Sequence, residues 1–402
     1  MKNASPAELR ALHARAQHIA QSLSPLSRGA DGSLSPESRM ALQKRIDAIL
    51  RQNHAVGASV IICPPGAPAD VFHYGYARLK PKIPVTAQTC FRIASVSKLV
   101  MTFAVLSLCE SGQLDLDRSI SDYLGYPVRH PDAQDIPVTM RMLLTHTAAI
   151  TDDGPYGTRG MEPGCTLSEL LAHPGSWRSC TPGESFQYSN LGAGIAGVVL
   201  ERAAGIPFDD ILKSRVFDPL GVRASYDPRR IAPRDDLADG YSVRSFSPPF
   251  PPRLRYDAAS LAARPPEPFD PERDYLIAAG RMITDSHGME KLIRLLASKD
   301  GMGVISGESL EMMRSPQDHI SGIASAGRGL NTAFLPDVFP GFSPVGHQGV
   351  AYGMCAELFA DPQTGAGVGV MTSGVRLVRS APLMRAGFDL LALGFASLTP
   401  KD

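Results

Sequence analysis

Phe91-Arg92-Ile93-Ala94-Ser95-Val96-Ser97-Lys98-Leu99-Val100-Met101-Thr102-Phe103 is the stretch around which the rest of the chain can be arranged. Strand-like residues end at Ala94, and an apolar pattern then runs to Glu110, where Ser111-Gly112 supplies the glycine that commonly follows a last helical residue. The pattern predicts a buried helix over 95–110. Ser95 and Lys98 form the only Ser-x-x-Lys of the chain. Residues three apart on a helix share a face with Cβ atoms about 5–6 Å apart, so the Lys98 amine reaches the Ser95 hydroxyl. A serine hydroxyl is a poor nucleophile until a neighbour takes its proton, and a lysine whose charged form burial disfavours is one of the few groups that can. A helix start also presents free N–H groups and a positive dipole end to a developing oxyanion. Taken alone, the tetrapeptide better fits a serine cap beside a snorkelling lysine, and the other motifs change that balance.

Two further motifs stand at settings that suit the same chemistry. Tyr188-Ser189-Asn190 lies between the turn Thr181-Pro182-Gly183 and a helical pattern over 191–204. A phenol beside the lysine can share the role of base and hand the proton to a leaving group, while Asn190 holds the lysine and the acyl amide. His347-Gln348-Gly349 opens a strand-like run over 350–360, where the small Gly349 lets substrate lie against the strand and the N–H of Val350 completes an oxyanion hole. His173-Pro174-Gly175 fits the same pattern on paper but reads as a turn. Gly192-Ala193-Gly194-Ile195-Ala196-Gly197 spells GxGxxG, yet a dinucleotide site needs a βαβ unit and no second strand follows, so close helix packing explains it better. A triad of Ser95, His146 and Asp152 is superfluous where lysine and tyrosine serve as base. No P-loop, HExxH or EF-hand pattern occurs, and the chemistry calls for no metal and no cofactor.

The 402 residues carry 40 Lys plus Arg and 40 Asp plus Glu, so no basic field is available to attract nucleic acid. Apolar runs at 99–108 and 388–395 fall short of the roughly 20 residues that cross a bilayer, which predicts no membrane association. The start, Met1-Lys2-Asn3-Ala4-Ser5-Pro6, lacks the apolar core of a signal peptide, so a cytoplasmic location is expected, or a periplasmic one had a leader been removed. The six scattered cysteines read as reduced thiols, with a Cys165–Cys180 pair as the minor alternative.

Residues 1–50 read as an arm of two helices, the second starting at Ser35-Pro36-Glu37, and this arm is a candidate contact for a homo-oligomer. Strands are expected at 57–63 and 71–76 about Pro64-Pro65-Gly66, and a hairpin of 350–360 with 365–372 about Asp361-Pro362-Gln363-Thr364-Gly365. Strands at both ends around a helical middle predict an α+β fold, with one antiparallel sheet built from both chain ends and flanked by helices. Residues 51–110 plus 275–402 would form the α/β sandwich, and 111–274 a mostly helical inserted region. Within the insert, 245–271 reads as a patternless Pro-rich surface loop that, with 152–177, is placed to roof a site. Arg253 and Arg255 in it read as solvated charge.

The three motifs, in this order and on these settings, resemble the serine β-lactamase and penicillin-binding family, within its class C β-lactamase-like branch of carboxylesterases, D-aminopeptidases and DD-peptidases. The resemblance covers roughly residues 45 to 395 and includes Gly112-Gln113-Leu114-Asp115-Leu116-Asp117, Leu143-Leu144-Thr145-His146-Thr147, Pro182-Gly183 and Asp218-Pro219-Leu220-Gly221. It implies that Ser95 is acylated, that Lys98 and Tyr188 form the base system, that Asn190 positions, and that the N–H groups of Ser95 and Val350 form the oxyanion hole. His347 stands where many members have the lysine of Lys-Thr-Gly, and a mostly neutral imidazole binds an anion more weakly. That departure looks like the esterase and D-aminopeptidase branches, which implies small ester, amide or peptide substrates. A β-lactamase or DD-peptidase of the same fold is the alternative, and a non-catalytic scaffold a third. Ala148-Ala149-Ile150 replaces the usual Ser-Gly-Leu after His146-Thr147.

Overall fold

Gly57-Ala58-Ser59-Val60-Ile61-Ile62-Cys63 is buried along its whole length, which its apolar, β-branched run requires of a strand covered on both faces. The chain is described from a computed structural model over residues 5–153, 165–231, 233–243, 251–265, 270–317, 328–380 and 383–399. The buried strand, β1 (Gly57–Cys63), is joined by β2 (Asp70–Leu79), β3 (Lys82–Pro84), β4 (Ala333–Phe334), β5 (Val345–Ala351), β6 (Met354–Ala360) and β7 (Gly367–Ser373). They form a seven-stranded antiparallel sheet in the order β3-β2-β1-β7-β6-β5-β4. The chain ends meet in its centre, where Gly57 pairs with Ser373 and Cys63 with Gly367.

Because side chains alternate across a strand, one sequence supplies two cores. Ile61, Leu358 and Met371 face α3 (Val96–Glu110) and α5 (Ser286–Ala297), with apolar residues from Leu114 to Ala262 in the same cluster. Val60, Phe359 and Val370 face α1 (Pro6–Gln21), α2 (Pro36–Gln52) and α6 (Arg385–Ala396). α3 is buried from Val96 to Leu108 and α6 from Ala386 to Ala396, as helices apolar on every side must be. α4 (Asn190–Ala204) lies between α3 and α5 in the chain. Among the described residues no single helix is long and apolar enough to cross a membrane, and there is no disulfide.

The two arm helices form, with Ser35 capping α2 through the Ser38 N–H, and they pack on their own chain. Leu12 and Ala16 of α1 and Leu42, Ile46 and Leu50 of α2 are buried in the second core. Burying one such leucine stabilises by about 1.5–3 kcal/mol, whereas the half-exposed Arg15–Asp389 pair contributes at most about 1 kcal/mol. Apolar burial therefore holds the arm. Two expectations need correction. The run 350–360 is broken by a two-residue turn at Tyr352-Gly353, so His347 to Val350 lie inside a strand and three strands replace two. Part of the Pro-rich stretch is ordered: Arg253–Tyr256 pairs with Gly240–Ser242, and a short helix covers Ala258–Ala262. Arg253 and Arg255 are exposed there. Residues 244–250 and 266–269, and 154–164 of the other expected roof, lie outside the described residues.

Candidate active site

A small three-stranded sheet sets the nucleophile segment. Phe91–Arg92 pairs with Ile283–Thr284, which also pairs with Ala224–Ser225. Ala94 then adopts φ +47, a left-handed conformation unusual for a residue with a Cβ. This sharp step delivers Ser95 to the start of α3. No described acceptor takes the Ser95 N–H, while the next three amides bond back to Ile93, Ala94 and Ser95.

One turn on, the Lys98 side chain is fully buried among polar atoms. Its Nζ donates to Ser95 Oγ at 3.2 Å, to Asn190 Oδ1 at 2.9 Å and to the Ala279 carbonyl at 2.5 Å. Three oxygens thus converge on the one nitrogen. The sequence reading missed Ala279, whose approach depends on the glycines of the GxGxxG pattern. A Cβ at Gly194 would lie 2.4 Å from the Tyr275 carbonyl oxygen and one at Gly197 2.5 Å from Ala278 Cβ. Those glycines let 275–279 press against α4.

Asn190 is oriented by Asp152. The carboxylate accepts from the backbone N–H of Asn190 and Leu191, from Ser189 Oγ and from Asn190 Nδ2, at 2.8–3.0 Å. With Nδ2 committed to that carboxylate, Asn190 Oδ1 is left for Lys98. Asp152 is thus a cap for the N-terminus of α4 and not a member of a histidine triad.

The Tyr188 ring lies 5.0 Å from Lys98 Nζ and 4.5 Å from the His146 ring. His146 and Thr147 form the bed of the loop that carries Tyr188. Their carbonyls accept from Gln187 and Gly183, and His146 Nδ1 accepts from the Ser189 N–H. That last bond places the ring proton on Nε2. Burial, with Lys98 nearby, holds His146 well below the usual histidine range, so it is neutral at pH 7. Ala149, at the place of the family's glycine, keeps φ +58 and hence the strain that glycine avoids.

His347 is buried and within 6.2 Å of the Tyr188 ring, centroid to centroid. Burial, then Lys98, push its pKa well down. Nδ1 donates to the Gln348 carbonyl at 2.6 Å, which leaves Nε2 as an acceptor. His347 therefore presents a neutral acceptor, a stronger departure from a lysine than weak anion binding. Beside Phe186, over whose ring its guanidinium lies at 4.3 Å, Arg328 adds a cation, which burial brings down to about 10.

Gly349 is small for a reason other than the one read from the sequence. A Cβ there would lie 2.2 Å from the Ile93 carbonyl oxygen and 2.7 Å from Ser95 N. It makes room for the nucleophile segment itself. The hairpin register then orients Val350. Ala351 and Met354 close a two-residue loop and share hydrogen bonds, so the next pair, Val350 and Cys355, does not. The Val350 N–H points to the outer edge of β5, where β4 pairs only as far as Gly346. The structure thus gathers Ser95, Lys98, Tyr188, Asn190, His347, Gly349 and Val350. His173 lies apart, capping a single turn at Pro174–Ser176.

A chain with these elements in this order finds its relatives readily. The family model described as Beta-lactamase matches residues 42–389, and the chain belongs to that family. Penicillin-binding protein 4 of Amycolatopsis lactamdurans is 26% identical over 348 residues, 83% of this chain and 84% of that protein. Esterase EstB of Burkholderia gladioli is 32% identical over 213 residues, which span 48% of this chain and 54% of the esterase. Among solved structures, the D-amino acid amidase from Ochrobactrum anthropi SV3 has a TM-score of 0.68 at 23% identity, over 88% of this chain and 97% of that one. The octameric penicillin-binding protein homologue from Pyrococcus abyssi gives 0.66 at 23%, over 88% and 76%. At these identities the structural likeness is one of fold.

Proposed function

We propose that the chain is a serine hydrolase that acylates Ser95 and acts on small esters or amides, in the manner of the esterases and D-amino acid amidases among its relatives. The observation that carries this reading is the placement of Lys98 Nζ between Ser95 Oγ and Asn190 Oδ1, at 3.2 and 2.9 Å, beneath the Tyr188 ring. Ser95 Oγ attacks the substrate carbonyl, and its proton passes to the Tyr188 and Lys98 pair. The oxyanion sits between the N–H groups of Ser95 and Val350. Tyr188 returns the proton to the departing alcohol or amine as the carbonyl re-forms. Water then attacks the ester on Ser95, giving the free acid and restoring the serine. Lys98, with three acceptors, stabilises the alkoxide and the Tyr188 oxygen electrostatically.

Position 347 supports the ester and amide reading. A β-lactam or a peptide C-terminus brings a carboxylate, and a neutral acceptor there supplies no cation for it. Hydrolysis of p-nitrophenyl butyrate by wild type and Ser95→Ala, with a chromogenic cephalosporin in parallel, tests the reading. The expected result is ester turnover that Ser95→Ala abolishes and slow cephalosporin cleavage. Fast cephalosporin turnover would move the assignment to a β-lactamase, and undiminished ester turnover in Ser95→Ala would sink the mechanism.

A further inference from the structure

The outer edge of β5 has two ends, and the geometry assigns them different parts of the substrate. Tyr188 stands toward His347, its ring 6.2 Å from the imidazole, so a leaving group that takes its proton from Tyr188 departs at that end. The same end is closed by β4, which pairs with Val345 and Gly346. The acyl group therefore runs the other way, past Val350 toward Tyr352. That residue is the first of the turn that ends β5, two positions past the oxyanion donor.

Tyr352 does not suit its backbone position. It is the first residue of the two-residue turn and has φ +51, with Gly353 at +83, a turn in which Asn, Asp or Gly is the usual first residue. A bulky side chain there is a steric outlier. Nor does the ring contribute to a core, since the residue is 57% exposed. Its partner is Arg92, whose guanidinium lies 4.7 Å from the Tyr352 ring centroid and 5.3 Å from that of Tyr256. Arg92 Nε donates to the Gly280 carbonyl at 2.7 Å, fixing the planar cation. Arg92 is three residues before Ser95, so the stack ties the hairpin tip to the nucleophile segment. The tip is also pinned from below, because a Cβ at Gly240 would lie 2.3 Å from the Tyr352 carbonyl oxygen. The outcome is a rigid aromatic ring, backed by a guanidinium and otherwise open, on the acyl side of Ser95. Strain tolerated at an exposed position outside any core, with one ring face on Arg92, is the mark of a surface kept for a ligand.

We propose that Tyr352 is the specificity-determining platform of the acyl subsite, and that it favours acyl groups carrying an aryl ring one or two carbons from the carbonyl. An aryl ring stacks on a tyrosine in offset or edge-to-face geometry and gains more than its buried area alone provides. The inference rests on the Ser95 hydrolase reading, and the test separates the two. The kcat/KM values for p-nitrophenyl acetate and p-nitrophenyl 3-phenylpropionate are measured for wild type, Tyr352→Phe and Tyr352→Ala. Wild type and Tyr352→Phe should favour the aryl ester, and Tyr352→Ala should lower the aryl-to-acetyl ratio about tenfold, whatever the change in acetate turnover itself. An unchanged ratio in Tyr352→Ala, with wild type active on both esters, would overturn the platform alone. Turnover of neither ester by the wild type would overturn the hydrolase reading and the platform with it.

Discussion

Glu357 sits in the middle of β6, fully buried on the face of the sheet opposite Ser95. Its Oε1 accepts from Gln348 Nε2 at 2.5 Å, and its Oε2 has no partner among the described residues. Burial raises its carboxyl well above the usual range, against the smaller lowering effect of Gln348 and Cys355. The sign of the pH effect follows. Above the ordinary carboxyl value of about 4.3, the unfolded chain has lost this proton and the folded chain keeps it, so stability falls as pH rises toward the raised value. His146 and His347, with pKa values lowered by burial, act oppositely: stability falls as pH drops below about 6.5. A variant-minus-wild-type comparison separates the contributions. Glu357→Gln should give a melting temperature that declines less than wild type between about pH 5 and 8. An identical decline in both proteins would mean that Glu357 is ionised in the fold. At this scale the motif residues Ser95, Lys98, Tyr188 and Asn190 were legible in the sequence, because each carries its chemistry in its own side chain. The Ala279 carbonyl was not legible, because any residue supplies a carbonyl and only folding brings that one to Lys98.

The elements are placed by contacts that leave no room for a methyl group. Gly349 on β5 touches the Ile93 carbonyl and Ser95 N, so Gly349→Ala should displace the nucleophile from the Val350 N–H. A misplacement of about 1 Å costs on the order of 100-fold in rate. We expect kcat/KM for a small ester to fall by at least that factor while circular dichroism shows the protein folded. Activity near wild type would show that the segment relaxes around the methyl group. The boundaries of β1, α3 and α4 were readable from apolar run, cap and closing glycine. The turn at Tyr352-Gly353 was hidden because tyrosine is no turn former, and its φ is imposed by the strands on either side together with Gly240. A local rule was broken there, and the functional inference starts from that place.

Across the whole molecule, the sheet separates two cores with different duties. The first holds α3 and α4, and so the proposed catalytic constellation; the second docks the arm and α6. A cavity in the second core should therefore lower stability and leave catalysis alone. Leu12→Ala in α1 removes a buried side chain and should cost about 2–4 kcal/mol, read as an earlier urea midpoint, with kcat at 25 °C within about twofold of wild type. A large change in kcat would show that the arm reaches the site through the sheet. The sequence by itself determined the α+β class, the pairing of both chain ends in one sheet and the identity of the side chains proposed to react. Those follow from hydrophobic periodicity and from chemistry that is local to a few residues. Tertiary structure alone decided that the arm covers its own chain, that Asp152 caps α4 and orients Asn190, that His347 is a neutral acceptor, and that Gly349 yields space to Ser95. Each of these depends on which distant segment lies alongside, on the water that burial removes and on the tautomer that a neighbouring group selects, and none of these is written in the spacing of residues along the chain.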